Sequence, residues 1–249
     1  MNILDICNAS KQYTSTGQIK TQALNAVNIT VGQGEFVGIM GPSGSGKTTL
    51  LNIAAGIDRC DAGQICIMGK DIAQIPRDEL AAFRRKHIGM VFQDFNLLPS
   101  LSIKENILVP LILDDILDAA GTDKVDALAQ MLDIDDVLEK YPYEISGGQQ
   151  QRAAICRAIV AEPKIIFADE PTGNLDSKSS QSVLGYFDKI LAECGVSIVM
   201  VTHDPFSASH CSRIIFLKDG KTAGELLREG DRDTFFHQIL SELHRLQQG

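Results

Sequence analysis

No stretch of the 249 residues approaches the roughly 18 uninterrupted apolar residues of a membrane-spanning helix, so the chain by itself does not thread a bilayer. Cysteine is sparse and scattered: six residues, at 7, 60, 66, 156, 194 and 211, with no C-x-x-C pair. That excludes a cysteine-based metal cluster and a disulfide framework, and most of these thiols are expected as small core fillers. The opening Met1-Asn-Ile-Leu-Asp5 has neither a basic segment nor a cleavage site, and secretion is not expected. Positive charge is the scarcer sign, with 23 Lys and Arg against 32 Asp and Glu and a net charge of −9. A nucleic-acid backbone demands a basic face, so nucleic acid is not expected as a partner. The one basic cluster, Arg84-Arg-Lys86, follows a helical stretch and reads as a solvated face. Heptads, internal repeats and low-complexity segments are missing too. What remains is 44% apolar and 22% charged, an ordinary globular composition. The length suffices for one large domain, or one domain with a subdomain.

Against that background one stretch stands out. The apolar run Phe36-Val-Gly-Ile-Met40 leads into Gly41-Pro42-Ser43-Gly44-Ser45-Gly46-Lys47-Thr48-Thr49 and then into the helical Leu50-Leu-Asn-Ile-Ala-Ala55. Strand, glycine-rich loop and helix in that order, with G-x-x-x-x-G-K-[ST] from Gly41 to Thr48, are the setting of a phosphate-binding P-loop. Gly41, Gly44 and Gly46 let the backbone curl so that N–H groups point inward at phosphate oxygens. The helix starting near Lys47 adds its positive end. Lys47 is expected to reach the β- and γ-phosphates of a nucleotide, and the Thr48 hydroxyl to ligate Mg²⁺.

The rest of the chain reads as α/β. Ile3-Leu-Asp-Ile6 and Ala23–Val31 alternate as strands, Asp61-Ala-Gly63 reads as a turn, and a strand is expected over Gln64–Met68. Pro76 opens a short helix to about Arg85, and a strand ends near Gln93. Between about 96 and 160 the character is helical, with helices expected over Ser102–Asp118, Thr122–Leu132, Asp135–Lys140 and Gln149–Val160. Continuous apolar runs then return at Ile165–Ala168, Ser197–Val201 and Arg213–Leu217, which predicts parallel strands covered on both faces. The tail from Asp231 to Gln247 carries Phe235, Phe236, Ile239, Leu240, Leu243 and Leu246 at helical spacing, for docking on its own core or on a neighbour.

Two carboxylates follow one of those runs, in Ile165-Ile-Phe-Ala-Asp169-Glu170. At the carboxyl end of a sheet strand they face the crevice where nucleotides bind. Asp169 suits Mg²⁺ coordination and Glu170 suits activation of the attacking water. Ile145-Ser146-Gly147-Gly148-Gln149, ahead of a helix, offers paired glycines at a helix N-terminus as a second anion site.

This Ser-Gly-Gly-Gln resembles the signature motif of ATP-binding-cassette ATPases, with Ile145 where that family typically has Leu. The resemblance implies a P-loop NTPase (RecA-like) parallel-sheet core with an antiparallel β subdomain and an inserted α-helical subdomain. On this chain the core and β subdomain would span 1–95 and 160–230, the helical subdomain 96–159, and a C-terminal helix 231–249. ATP and Mg²⁺ are then the expected ligands, with Thr48, Asp169 and Gln93 toward the metal. Gln93 resembles the Q-loop glutamine, His203 the switch histidine at the γ-phosphate, and Asp176, in Gly173-Asn-Leu-Asp176, the D-loop aspartate at the dimer interface. Tyr13 resembles the aromatic that stacks on adenine, a role needing only the ring, so Tyr13→Phe would keep it. Two units of such a family meet head to tail, each signature closing over the other's P-loop, so a second copy of the chain is implied as partner.

Further resemblance narrows the output. Gln93-Asp-Phe-Asn-Leu-Leu-Pro-Ser-Leu101 looks like the permease-binding groove of the class containing macrolide exporters, lipoprotein-release ATPases and the cell-division ATPase. In that class Phe95, Leu97, Leu98 and Leu101 would form a socket for a short helix of the membrane subunit. Thr202–Phe216, Asp231–Ile239 and Ile166–Ser179 are similar to bacitracin-export ATPases. That kinship implies a transmembrane permease, a two-component sensor kinase reached through it, and a place on the cytoplasmic face of the membrane. A cell-division or lipoprotein-release complex of the same class is the alternative.

Overall fold

The computed structural model describes residues 2–14, 20–116 and 118–248. The chain opens with the long strands β1 (Asn2–Thr14) and β2 (Lys20–Gly32), followed by β3 (Phe36–Met40) and helix α1 (Lys47–Ala54). Then come β4 (Ala62–Ile67), β5 (Lys70–Asp71), α2 (Arg77–His87) and β6 (Ile88–Val91). Helices α3 (Ile103–Leu113), α4 (Ala119–Met131) and α5 (Gly147–Ile159) precede β7 (Ile165–Asp169). The chain then alternates through α6 (Ser177–Cys194), β8 (Ser197–Val201), α7 (Pro205–Ala208), β9 (Arg213–Lys218), β10 (Lys221–Leu227) and α8 (Arg232–Gln248).

Two sheets result. One is antiparallel, in the order β2-β1-β4-β5; the other runs β10-β9-β3-β8-β7-β6, parallel except for β10 at its edge. The central strands read as unbroken apolar runs because both their faces are covered. Side chains alternate between the faces with period two. Phe36, Met40, Ile166, Ala168, Ile198 and Met200 enter a core shared with the helices, whereas Val37, Ile39, Phe167, Val199 and Val201 enter a second core shared with β1, β2 and α1. Arg213 ties the layers together. Its guanidinium grips Glu35 with two hydrogen bonds (2.7 and 3.0 Å) and also reaches Glu225 at 2.9 Å and the Thr30 carbonyl at 2.7 Å.

Several local expectations change. Asp61-Ala-Gly63 is not wholly a turn, because Ala62 and Gly63 already belong to β4 and Ala62 is paired with Ser10. The helix expected to Asp118 ends at Leu113, just before Asp115 takes a left-handed backbone (φ 54°) that no α-helix continues through. Over 135–140 only a 3₁₀ turn forms, Asp135–Val137. Strand β10 escapes the sequence reading because its burial is partial and irregular, as befits an edge strand. Of the six cysteines only Cys156 and Cys211 are buried, so most are not core fillers; all six are free. Arg85 of the basic cluster pairs with Asp114, and Arg84 donates to the Gly56 carbonyl at 3.4 Å, so these residues bind neighbouring segments of the chain.

Candidate functional site

The loop between β3 and α1 is shaped by what cannot be there. A Cβ at Gly41 would lie 2.0 Å from the Leu217 carbonyl oxygen and 2.7 Å from the Ser45 hydroxyl, so only glycine fits. Gly46 has φ +100°, and a Cβ there would lie 2.3 Å from the Ala23 carbonyl oxygen. The curl these residues permit wraps Lys47, whose ammonium donates to the Gly41 and Pro42 carbonyls at 2.9 and 3.0 Å. Burial pulls that ammonium below the ordinary lysine value, against the opposing pull of Glu170 and Asp169. The buried Ser45 hydroxyl has no hydrogen-bond partner among the described residues.

Because β7 and β8 are parallel neighbours next to β3, their carboxyl ends deliver Asp169, Glu170 and His203 to this loop. Thr48 donates its hydroxyl to Asp169 Oδ1 at 3.4 Å. Burial first, and the Glu170 carboxylate second, raise the Asp169 carboxyl above its ordinary value. Glu170 has a left-handed backbone (φ 47°), its N–H donates to the Val201 carbonyl at 2.9 Å, and its Oε2 lies 2.6 Å from His203 Nδ1. Gly41, Pro42, Ser43, Lys47, Glu170 and His203 thus share one cavity of about 580 Å³.

Lys218, Leu243 and Leu246 complete its lining, and no sequence signal pointed to them. Lys218 arrives because β9 is the other neighbour of β3. The leucines arrive because α8 buries Phe235 and Ile239 in the helical core, while Lys218 Nζ holds the Leu246 carbonyl at 2.8 Å. The tail therefore docks on its own core.

The other expected site residues lie apart from that cavity. Gln93 Nε2 donates to Asn174 Oδ1 at 3.1 Å and sits against Gly173, so its side chain is turned to the loop after β7 and makes no bond to Thr48 or Asp169. Asp176 caps α6, accepting from the N–H groups of Lys178 and Ser179 at 3.0 Å and from the Ser179 hydroxyl at 2.6 Å. Ser146 and Gln149 form a capping box at the start of α5, with Ser146 exposed. Gly147 packs beside Phe95 and Leu175, and Gly148 beside Ser179. Tyr13 lies on β1 and donates its hydroxyl to Asp58 at 2.8 Å.

The expected socket also changes. Only Leu98 of its four residues lines a groove of about 520 Å³ between α2, β6 and α3, with Val109, Pro110 and Leu113 opposite and Arg84, Arg85 and Arg157 around it. Leu97 packs on the core and Phe95 turns to Gly147. A further residue that the sequence reading passed over shapes this groove: Arg157 donates to the Phe95 and Asn96 carbonyls at 2.8 and 2.6 Å, holding two consecutive residues with positive φ.

The residues present fit a nucleotide with Mg²⁺. The loop is walled so that no side chain can fill it, the Ser45 hydroxyl is unpaired, and the hydroxyl and carboxylate of Thr48 and Asp169 are hard oxygen donors. Among the described residues no group of three or more His, Cys, Asp or Glu could hold a metal ion. Mg²⁺ needs only one or two protein oxygens besides phosphate oxygens, the number that Thr48 and Asp169 would supply. A cation beside Asp169 would also relieve a carboxyl raised by burial and by a like-charged neighbour.

Residues 24–173 match the family model for ABC transporters. The chain is 47% identical over 245 residues to the ABC transporter ATP-binding protein YxdL of Bacillus subtilis, covering 98% of this chain and 95% of the relative. It is 49% identical over 242 residues to the bacitracin export ATP-binding protein BceA of Halalkalibacterium halodurans, covering 96% and 95%. Among solved structures it resembles the ATP-binding cassette MJ0796 in a dimeric post-hydrolysis state bound to ADP and Pi, with 39% identity, a TM-score of 0.83, and coverage of 91% of this chain and 99% of that one. With a walled P-loop and two carboxylates converging on it, this chain belongs to the ABC transporter family, as an ATP-binding cassette ATPase.

Proposed function

We propose that the chain is the ATPase of a complex that protects cells against bacitracin-like peptide antibiotics, acting as an ATP-closed pair of copies on the cytoplasmic side of a membrane permease. The observation that carries the ATPase part is that Lys47, Glu170 and His203 line one cavity, with Thr48, next to Lys47, bonded to Asp169, next to Glu170. Lys47, released from its own loop carbonyls, would bind the β- and γ-phosphates, with the N–H groups of residues 43–48 around them. Mg²⁺ held by Thr48 and Asp169 would offset phosphate charge. Glu170 would accept the proton of the attacking water. His203 Nδ1 lies 2.6 Å from Oε2 of that carboxylate, and its other ring nitrogen would serve the γ-phosphate. Gln93 could join only after leaving Asn174, which would couple the loop after β6 to the state of the site.

The partner rests on the groove beside Leu98, which is 46% exposed. An exposed leucine among apolar walls and three arginines suits a short helix with apolar and acidic side chains. No helix among the described residues is long and apolar enough to cross a membrane, so a separate subunit would supply the spans. The antibiotic part is supported by the bacitracin export relative.

Deleting the gene should sensitise cells to bacitracin-like or lantibiotic peptides. Unchanged sensitivity with a septation or lipoprotein-trafficking defect would assign the chain to another complex of its class. Leu98→Asp should leave folding and ATP binding intact but abolish co-purification with the permease and permease-stimulated hydrolysis. Retained stimulation would remove this groove as the contact.

A further inference from the structure

Tyr13 is embedded in a small polar network that the reading of it as a bare stacking ring does not explain. Asp58 follows α1, and its N–H is bonded to the carbonyl of Asn52 within that helix at 3.2 Å. Its two carboxylate oxygens are divided between two residues of β1. Oδ2 accepts the Tyr13 hydroxyl at 2.8 Å, and Oδ1 accepts the Lys11 ammonium at 2.8 Å. Lys11 is 9% exposed, donates a further bond to the Arg59 carbonyl at 2.7 Å, and lies over the Tyr13 ring 5.2 Å from its centroid.

Lys11 and Tyr13 stand two apart on a strand and so share a face. The ammonium therefore braces the ring while the carboxylate holds its edge, and Tyr13 nonetheless stays 44% exposed. A ring used only for packing would be covered. This one is fixed at its hydroxyl and by a cation, and otherwise left open. The carboxylate that fixes it belongs to the segment leaving the helix that carries Lys47 and Thr48.

We propose that Asp58 is a positioning residue for the nucleotide base, setting the Tyr13 ring relative to the P-loop helix, with Lys11 as its brace; this rests on Tyr13 being the residue that stacks on the base. An exposed aromatic side chain that can rotate loses stacking free energy to the entropy of being ordered. Holding it in advance turns that loss into base affinity. The hydroxyl then contributes to base affinity alongside the ring, and Tyr13→Phe should not behave like the native residue.

The test compares Mg-ATP with Mg-tripolyphosphate, which offers the phosphates without a base, on the full-length chain by competition binding. Asp58→Asn keeps the shape and removes the charge. Tyr13→Phe removes the phenol's hydrogen bond outright and leaves Lys11 and Asp58 paired. Each should weaken ATP about three- to tenfold, the double variant no more than the worse single one, and tripolyphosphate affinity should stay unchanged throughout. Tyr13→Ala should weaken ATP by about 5- to 100-fold. If Tyr13→Ala weakens ATP while Asp58→Asn and Tyr13→Phe do not, stacking stands and the positioning role is overturned. If Tyr13→Ala itself binds ATP like the native chain, the stacking reading fails and the positioning role fails with it. Equal losses for ATP and tripolyphosphate in Asp58→Asn would make Asp58 a support of the P-loop, which also overturns the proposal.

Discussion

Glu170→Gln should lower ATP turnover by about 10²–10⁴-fold while leaving ATP binding intact. The amide keeps the shape of the carboxylate and one acceptor oxygen, but it cannot take a proton from water. The loop that holds the phosphates does not change, because Lys47 and the loop glycines are positioned by the main chain of residues 41, 42, 23 and 217. The substitution should not disturb the backbone either. The left-handed conformation of Glu170 is fixed by its N–H bond to the Val201 carbonyl at 2.9 Å, independent of the side chain. Phosphate release by the purified variant with its permease, set beside ATP binding, separates the two effects. Turnover near that of the native protein would take Glu170 out of the role of base.

With hydrolysis blocked, the Glu170→Gln chain should shift from monomer to dimer in Mg-ATP and hold two nucleotides per dimer. The reason lies in where the second anion site stands. Ser146 is exposed, caps its own helix, and is not among the residues lining the P-loop cavity of the same chain. An exposed helix N-terminus with two glycines can serve a phosphate only if another copy brings one. Adding Ser146→Arg in the Glu170→Gln background should therefore abolish the ATP-dependent dimer, as should adding Lys47→Ala. Mixing those two doubly substituted chains should restore a dimer with one nucleotide, because the native P-loop of one faces the native signature of the other. Sedimentation and nucleotide counting read both outcomes. A Glu170→Gln chain that stays monomeric in Mg-ATP would sink the two-site closure.

Two helix starts were legible for a local reason. Ser102 with Glu105 and Ser146 with Gln149 are capping boxes whose hydrogen bonds span three positions, so their meaning lies within one turn of chain. The end of α3 at Leu113 is not legible in the same way, because the left-handed Asp115 that follows leaves no compositional trace. Gln93 shows the limit for the site. Its resemblance to the Q-loop glutamine implies a metal ligand, yet the side chain is turned to Asn174, a residue 81 positions away.

By itself the sequence determined the parts whose physics is short-range. These are the buried strands, read from unbroken apolar runs, the glycine loop that must curl around Lys47, and the paired carboxylates at a strand end. Only the tertiary structure decided what those parts meet. The order β10-β9-β3-β8-β7-β6 places Asp169, Glu170 and His203 beside Lys47 and brings Lys218 to the same cavity. Docking of α8 adds Leu243 and Leu246 to its wall, and the pairing of β1 with β4 closes the distance between Tyr13 and Asp58. Strand order and docking follow from burying two apolar faces at once, a balance summed over residues far apart in the chain, which no local pattern encodes.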